Sequence, residues 1–140
     1  MEIITSIHIQ ASPEQVWKVF SDFQSYPKWN PFVKKMMGIP KVGETIIVDL
    51  PGMQFKPRVL VYEANKEFRW LGHLLFKGLF DGEHRFELMP NADGSTTFIH
   101  AEKFAGILVP LFKHKLLNDT KQGFEAMNQR LKEEVERGLI

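Results

Sequence analysis

A chain of 140 residues without cysteine is too short for two ordinary domains, and it excludes disulfides, thiolate nucleophiles and cysteine-ligated zinc. A net charge of +1, with local basic pairs at Lys34 with Lys35 and Lys113 with Lys115 that read as solvated surface, gives no electrostatic footprint for nucleic acid or an anionic membrane. Hydrophobic residues make up 44% and charged residues 25%, a globular mixture, yet 12 Phe and 3 Trp are a heavy aromatic load that fills either a core or the walls of a ligand pocket.

The opening MEIITSIHIQ lacks a basic stretch followed by a long apolar run, so no secretory signal is expected. With no cysteine and no apolar window long enough to span a bilayer, the expectation is a cytoplasmic protein without stable membrane insertion. Residues 2–11 alternate: Ile3, Thr5, Ile7 and Ile9 share one face, which predicts a strand. Ser12 is a good N-cap, Pro13 suits the first helical position and Gln15 sits where a capping box needs it. Val16, Val19, Phe20 and Phe23 follow at helical spacing, predicting a helix to about Asp22. Residues 24–32, QSYPKWNPF, hold two prolines and three aromatics and allow only a short helix or turns.

Strands are predicted over 33–38, 44–50, 56–64, 67–75, 80–89 and 95–105, with turns at Pro51-Gly52 and Asn65 and a hairpin loop at 90–94. The faces of 56–64 stay open, because Val59 and Val61 compete with Leu60 and Tyr62 for the inward side. From Leu108 to Arg137 the period changes. Val109, Phe112, Leu116, Thr120, Phe124, Met127, Leu131 and Val135 step by three or four residues, which predicts one long amphipathic helix. Pro110 falls in its first turn, where the missing N–H is tolerated, and Gly106 marks the break before it. Strand, short helices, strands and a long helix make an α+β domain over residues 1–140. Its expected form is a curved antiparallel sheet wrapped around the C-terminal helix.

The strand running into ASPEQVWKVFSDFQSYPKWNPF, then FRWLG, FDGEHRFEL and TTFIHAEKFAGILVP leading into the final helix, resembles the START-like (SRPBCC) superfamily, in particular its small bacterial polyketide cyclase/dehydrase-type members. The likeness covers essentially the whole chain. It implies a helix-grip fold around an internal cavity that binds or carries a small hydrophobic or amphipathic molecule. It also implies two alternatives, a cyclase/dehydratase-type enzyme or a protein-interaction module, since this fold serves several functions. It implies no metal, and no cofactor is expected: Gly-rich phosphate loops and nucleophile elbows are absent. Oligomeric state stays open.

The clearest hairpin carries the candidate chemistry. On 80–89, Phe80, Gly82, His84, Phe86 and Leu88 share a face opposite Asp81, Glu83, Arg85 and Glu87, so the first set points inward. On 95–105, Thr96, Phe98, His100, Glu102 and Phe104 share a face. A four-residue loop over 91–94 pairs His84 with His100 and Phe86 with Phe98, and sets Glu102 one diagonal step from His84. Three titratable groups on an aromatic face read either as a polar anchor for a ligand or as a satisfied buried network. The same His84, His100 and Glu102 are the candidates for acid–base catalysis, and their types also suit zinc, though no helical His-x-x-x-His motif accompanies them. Trp29, Phe32, Trp70, Phe86, Phe98 and Phe124 are the candidate aromatic walls. The segment around Gly78 and Gly82, with Pro51-Gly52-Met53, is the candidate mouth loop.

Overall fold

In the computed structural model, which describes residues 1–139, the alternating N-terminus forms β1 (Glu2–Ile9) with Ile3, Thr5 and Ile9 buried. Ser12 then caps α1 (Pro13–Phe20). The Gln15 backbone N–H donates to the Ser12 hydroxyl at 3.2 Å, and the Ser12 N–H donates to the Gln15 side chain at 2.9 Å. Two donors left open at a helix start are thereby satisfied. Helix α1 stops at Phe20 rather than near Asp22. A 3₁₀ turn (Phe23–Ser25) and a single helical turn, α2 (Tyr26–Trp29), follow. Asn30 turns the chain after α2, its side-chain oxygen accepting from the N–H groups of Phe32 and Val33 at 2.9 Å each.

A three-stranded antiparallel sheet comprises β2 (Lys35–Met37), β3 (Ile47–Leu50) and β4 (Met53–Phe55). The larger sheet adds β5 (Arg58–Glu63), β6 (Glu67–His73), β7 (Asp81–Pro90) and β8 (Thr96–Ala105) to β1, in the order β1-β8-β7-β6-β5. A bridge from Thr45 to Arg58 and an Ile46 N–H to Pro57 carbonyl bond of 2.9 Å join the two. The strand β4 was not anticipated: Pro51-Gly52 does turn the chain, but its return arm pairs with β3 instead of forming a free loop. Gly82 lies within β7, on the strand expected over 80–89, and lines the cleft from there and not from a loop.

The ambiguity in β5 has a structural answer. The pairing with β6 shifts register between Val59, opposite Trp70, and Val61, opposite Arg69. A bulge inserts one residue and so changes which side chains face inward. Val59 is buried before it, and Tyr62 packs on the core after it.

The C-terminal segment is one continuous helical run but not one regular helix. It consists of α3 (Val109–Lys115), a π-helical turn (Leu116–Thr120) and α4 (Lys121–Arg137). On α4, Phe124, Met127, Leu131 and Val135 are buried, and the helix lies against β1 and β8. Among the described residues no helix is long and apolar enough to cross a membrane.

The core is chiefly aromatic. Phe20 packs within 6.5 Å, centroid to centroid, of Phe68, Phe86, Phe98 and Tyr26. Each such ring taken out of water contributes roughly 1.5–3 kcal/mol.

Candidate functional site

The β7–β8 hairpin turns through five residues, 91–95, rather than four. The Asn91 N–H donates to the Ser95 carbonyl at 2.8 Å, and Asp93 Oδ1 accepts from the Ser95 N–H at 3.0 Å, drawing Ser95 into the turn. The register differs by two residues from the expected one, the fifth loop residue accounting for one of them and the other arising because a loop over 91–94 sets His84 opposite Ala101 and not His100: His84 stands opposite Glu102, Phe86 opposite His100, and Leu88 opposite Phe98. A shift of two keeps every side chain on its face. His84 and Glu102 thus become direct rather than diagonal neighbours.

A chain of polar contacts results, hydrogen-bonded from His84 on β7 through His100 on β8 and Asn128 on α4 to Thr5 on β1, with Glu102 of β8 against its His84 end. Glu102 Oε1 lies 3.2 Å from His84 Nδ1, and His84 Nε2 lies 2.7 Å from His100 Nε2. His100 Nδ1 is 3.0 Å from Asn128 Oδ1. Asn128 Nδ2 donates to the Thr5 hydroxyl at 2.9 Å, and that hydroxyl donates to the His100 carbonyl at 2.7 Å. His84, His100, Asn128 and Thr5 are all buried. Rings enclose the imidazoles: Trp70 stacks on His84 at 4.8 Å and Phe124 on His100 at 4.1 Å. Burial, and then the nearby His84, push the His100 pKa well below the ordinary imidazole value.

Next to the Glu102 end a cleft of about 460 Å³ opens between the sheets and the helical run. Its walls are mostly apolar: Phe32, Leu50, Phe55, Trp70, Phe80 and Phe104 among them, with Phe112 and Leu116 from the helical side. Lys115 and Asp119, both exposed, stand at its rim. Of the residues singled out from sequence, Phe32, Trp70, His84 and Glu102 line this cleft. Trp29, Phe86, Phe98, His100 and Phe124 do not; they pack behind it in the core. His100 packs against His84, which lines the cleft, at 4.8 Å, and against Phe124, which does not, at 4.1 Å.

The three titratable groups do not converge on a point. The two Nε2 atoms face each other at hydrogen-bond distance, which leaves no room for a cation coordinated by both. Among the described residues no group of three or more His, Asp or Glu side chains is arranged to hold a metal ion.

The family model described as polyketide cyclase / dehydrase and lipid transport matches residues 2–136. The chain belongs to this family. No functionally curated protein is similar enough in sequence to be matched to it. Solved structures share the fold at low identity. A hypothetical protein from Helicobacter pylori superposes with a TM-score of 0.81 at 14% identity, over 96% of this chain and 88% of its own. A norcoclaurine synthase mutant from Thalictrum flavum, in complex with a transition-state analogue, gives 0.76 at 15%, over 100% and 96%. A START superfamily protein from Mycobacterium smegmatis gives 0.69 at 22%, over 94% and 97%. These likenesses establish the START-like, helix-grip fold.

Within this family member, two parts of the site had a signal in the sequence that went unread. Asn128 sits on the apolar stripe of α4, four residues after Phe124, where a polar residue needs a partner. Gly82 stands among large inward residues of β7 and leaves space there: a Cβ at this position would collide with the Glu102 carboxylate. Of the walls beside β3 and β4, Pro51 and Met53 belong to the segment expected at the mouth and do line the cleft, whereas Leu50 and Phe55 had no such signal, because they depend on how the small sheet folds over the large one.

Proposed function

We propose that this chain binds a small hydrophobic or amphipathic molecule in the cleft between the sheets and the helical run. The observation that carries this reading is an apolar-walled space of about 460 Å³ with a carboxylate and an imidazole set into its wall. That size falls within the usual range for small-molecule sites, as does the pairing of apolar walls with few polar groups. Membership of a family described by cyclase, dehydrase and lipid-transport functions supports it. So does the shared fold of the norcoclaurine synthase, which holds a transition-state analogue. Apolar surface that a ligand and the cleft walls remove from water contributes roughly 25 cal/mol per Å² before association costs are subtracted.

Native mass spectrometry of protein purified from its own host tests this, together with thermal melting against alkyl and aromatic compounds. A co-purified small molecule, or a rise in Tm that saturates with ligand, is expected. No bound molecule and no shift with any compound would overturn it.

A second reading is cyclase- or dehydratase-type catalysis, favoured by the 3.2 Å contact between Glu102 and His84 at the cleft wall. A carboxyl group and an imidazole side by side are equipped to take a proton from, or return one to, a bound carbonyl compound. Glu102→Gln keeps the size of the side chain and removes its titration. Turnover lost with binding retained supports catalysis; equal turnover in the variant refutes it.

A further inference from the structure

The hydrogen bonds beneath the cleft assign donors and acceptors from Thr5 up to His84, against which Glu102 stands. The Thr5 hydroxyl has one proton, given to the His100 carbonyl, so its oxygen accepts from the Asn128 amide nitrogen. That orients the amide, and Asn128 Oδ1 must accept from His100 Nδ1. A neutral His100, as its burial favours, then has a lone pair on Nε2, and His84 Nε2–H donates to it. His84 Nδ1 is left facing Glu102 Oε1.

That contact engages Oε1, and Oε2 is the second acceptor atom of the carboxyl group. Oε2 occupies the space over Gly82, and both residues line the cleft. Among the described residues no donor is hydrogen-bonded to it. An acceptor set into an apolar wall loses its hydration when a ligand enters, and that loss is offset only if the ligand brings a donor.

Resting on the reading that the cleft holds a ligand, we propose that the inner end of that ligand is a hydrogen-bond donor, an alcohol, phenol or amine, held by Glu102 Oε2. A ketone, ether or ester of the same shape presents only acceptors and leaves two sets of lone pairs facing one another. The preference belongs to the donor and not to polarity in general.

Matched probes separate these. Binding of 2-naphthol, 2-methoxynaphthalene and naphthalene, and of 1-decanol against decyl methyl ether, is measured by calorimetry or by quenching of tryptophan fluorescence. In the natural protein the alcohol and the phenol bind at least tenfold more tightly than their methyl ethers. In Glu102→Leu that ratio falls to about one while naphthalene still binds. Gly82→Ala, which displaces the carboxylate and keeps its charge, provides a second variant if Glu102→Leu fails to fold, and it too collapses the ratio. Ethers that bind as tightly as the alcohols to the natural protein overturn the proposal and leave the cleft as a ligand site. Failure of every probe, naphthalene included, overturns the ligand-binding reading and this one with it.

Discussion

The Glu102 carboxylate rests over Gly82, filling the volume a side chain at that position would need. Gly82 has no left-handed backbone conformation that would itself require glycine, so its lack of a Cβ is what matters. Replacing it with alanine tests the carboxylate's placement with little other disturbance. Gly82→Ala is expected to fold, to lose about 1–3 kcal/mol as His84 Nδ1 loses its partner, and to weaken ligand binding about tenfold. Urea unfolding and calorimetry read the two effects separately. An alanine variant with unchanged ligand affinity would mean that the carboxylate has no part in binding.

Gly72 borders the cleft on β6, and a Cβ there meets only Pro57 at an ordinary 3.6 Å. A leucine side chain at this position extends into the cleft. Gly72→Leu should therefore keep or slightly raise the Tm while reducing affinity for naphthalene-sized probes by more than tenfold. If the protein acts instead through its outer surface, a pull-down partner persists in this variant.

The buried His100 sets a pH dependence. Its folded pKa lies well below the ordinary value of 6.5, so at mildly acid pH the unfolded chain takes up a proton that the native protein refuses. The contribution of His100 is complete above about pH 7. It is lost as pH falls below 6.5, approaching about 1.4 kcal/mol per pH unit. Stability measured by urea unfolding between pH 7.5 and 5 should fall with this slope in the natural protein and be flatter in His100→Gln. Equal slopes would place the acid sensitivity elsewhere.

Phe124 is fully buried and lies flat on His100, 4.1 Å away with an 11° interplanar angle. Phe124→Ala removes that stack and the contact with Phe32, leaving a void. A loss of about 3–5 kcal/mol is expected by chemical denaturation. By contrast Ser12→Ala, which removes half of the capping box on α1, should cost only about 1 kcal/mol.

Sequence alone determined which face β6, β7 and β8 turn inward, because side chains alternate with period two and only one of the two sets is apolar, whereas the bulge in β5 left its faces open. That logic placed His84, Phe86 and Trp70 inside, as the buried pattern of β6 and β7 shows. It also identified the capping box at Ser12 and the apolar stripe of α4, since both follow from local spacing. Only the tertiary structure decided the partners. A register shift of two residues leaves every face unchanged, so alternation could not say whether His84 meets His100 or Glu102 across the hairpin; the turn through Ser95 chose. The same holds for the cleft. Its walls come from β3, β4, β6, β7, β8 and the helical run together, and whether a given ring faces a void or another ring depends on how distant segments pack. Phe86, Phe98 and Trp70 have the same inward pattern and all belong to the core, yet of the three Trp70 alone also lines the cleft, a distinction that no local pattern encodes.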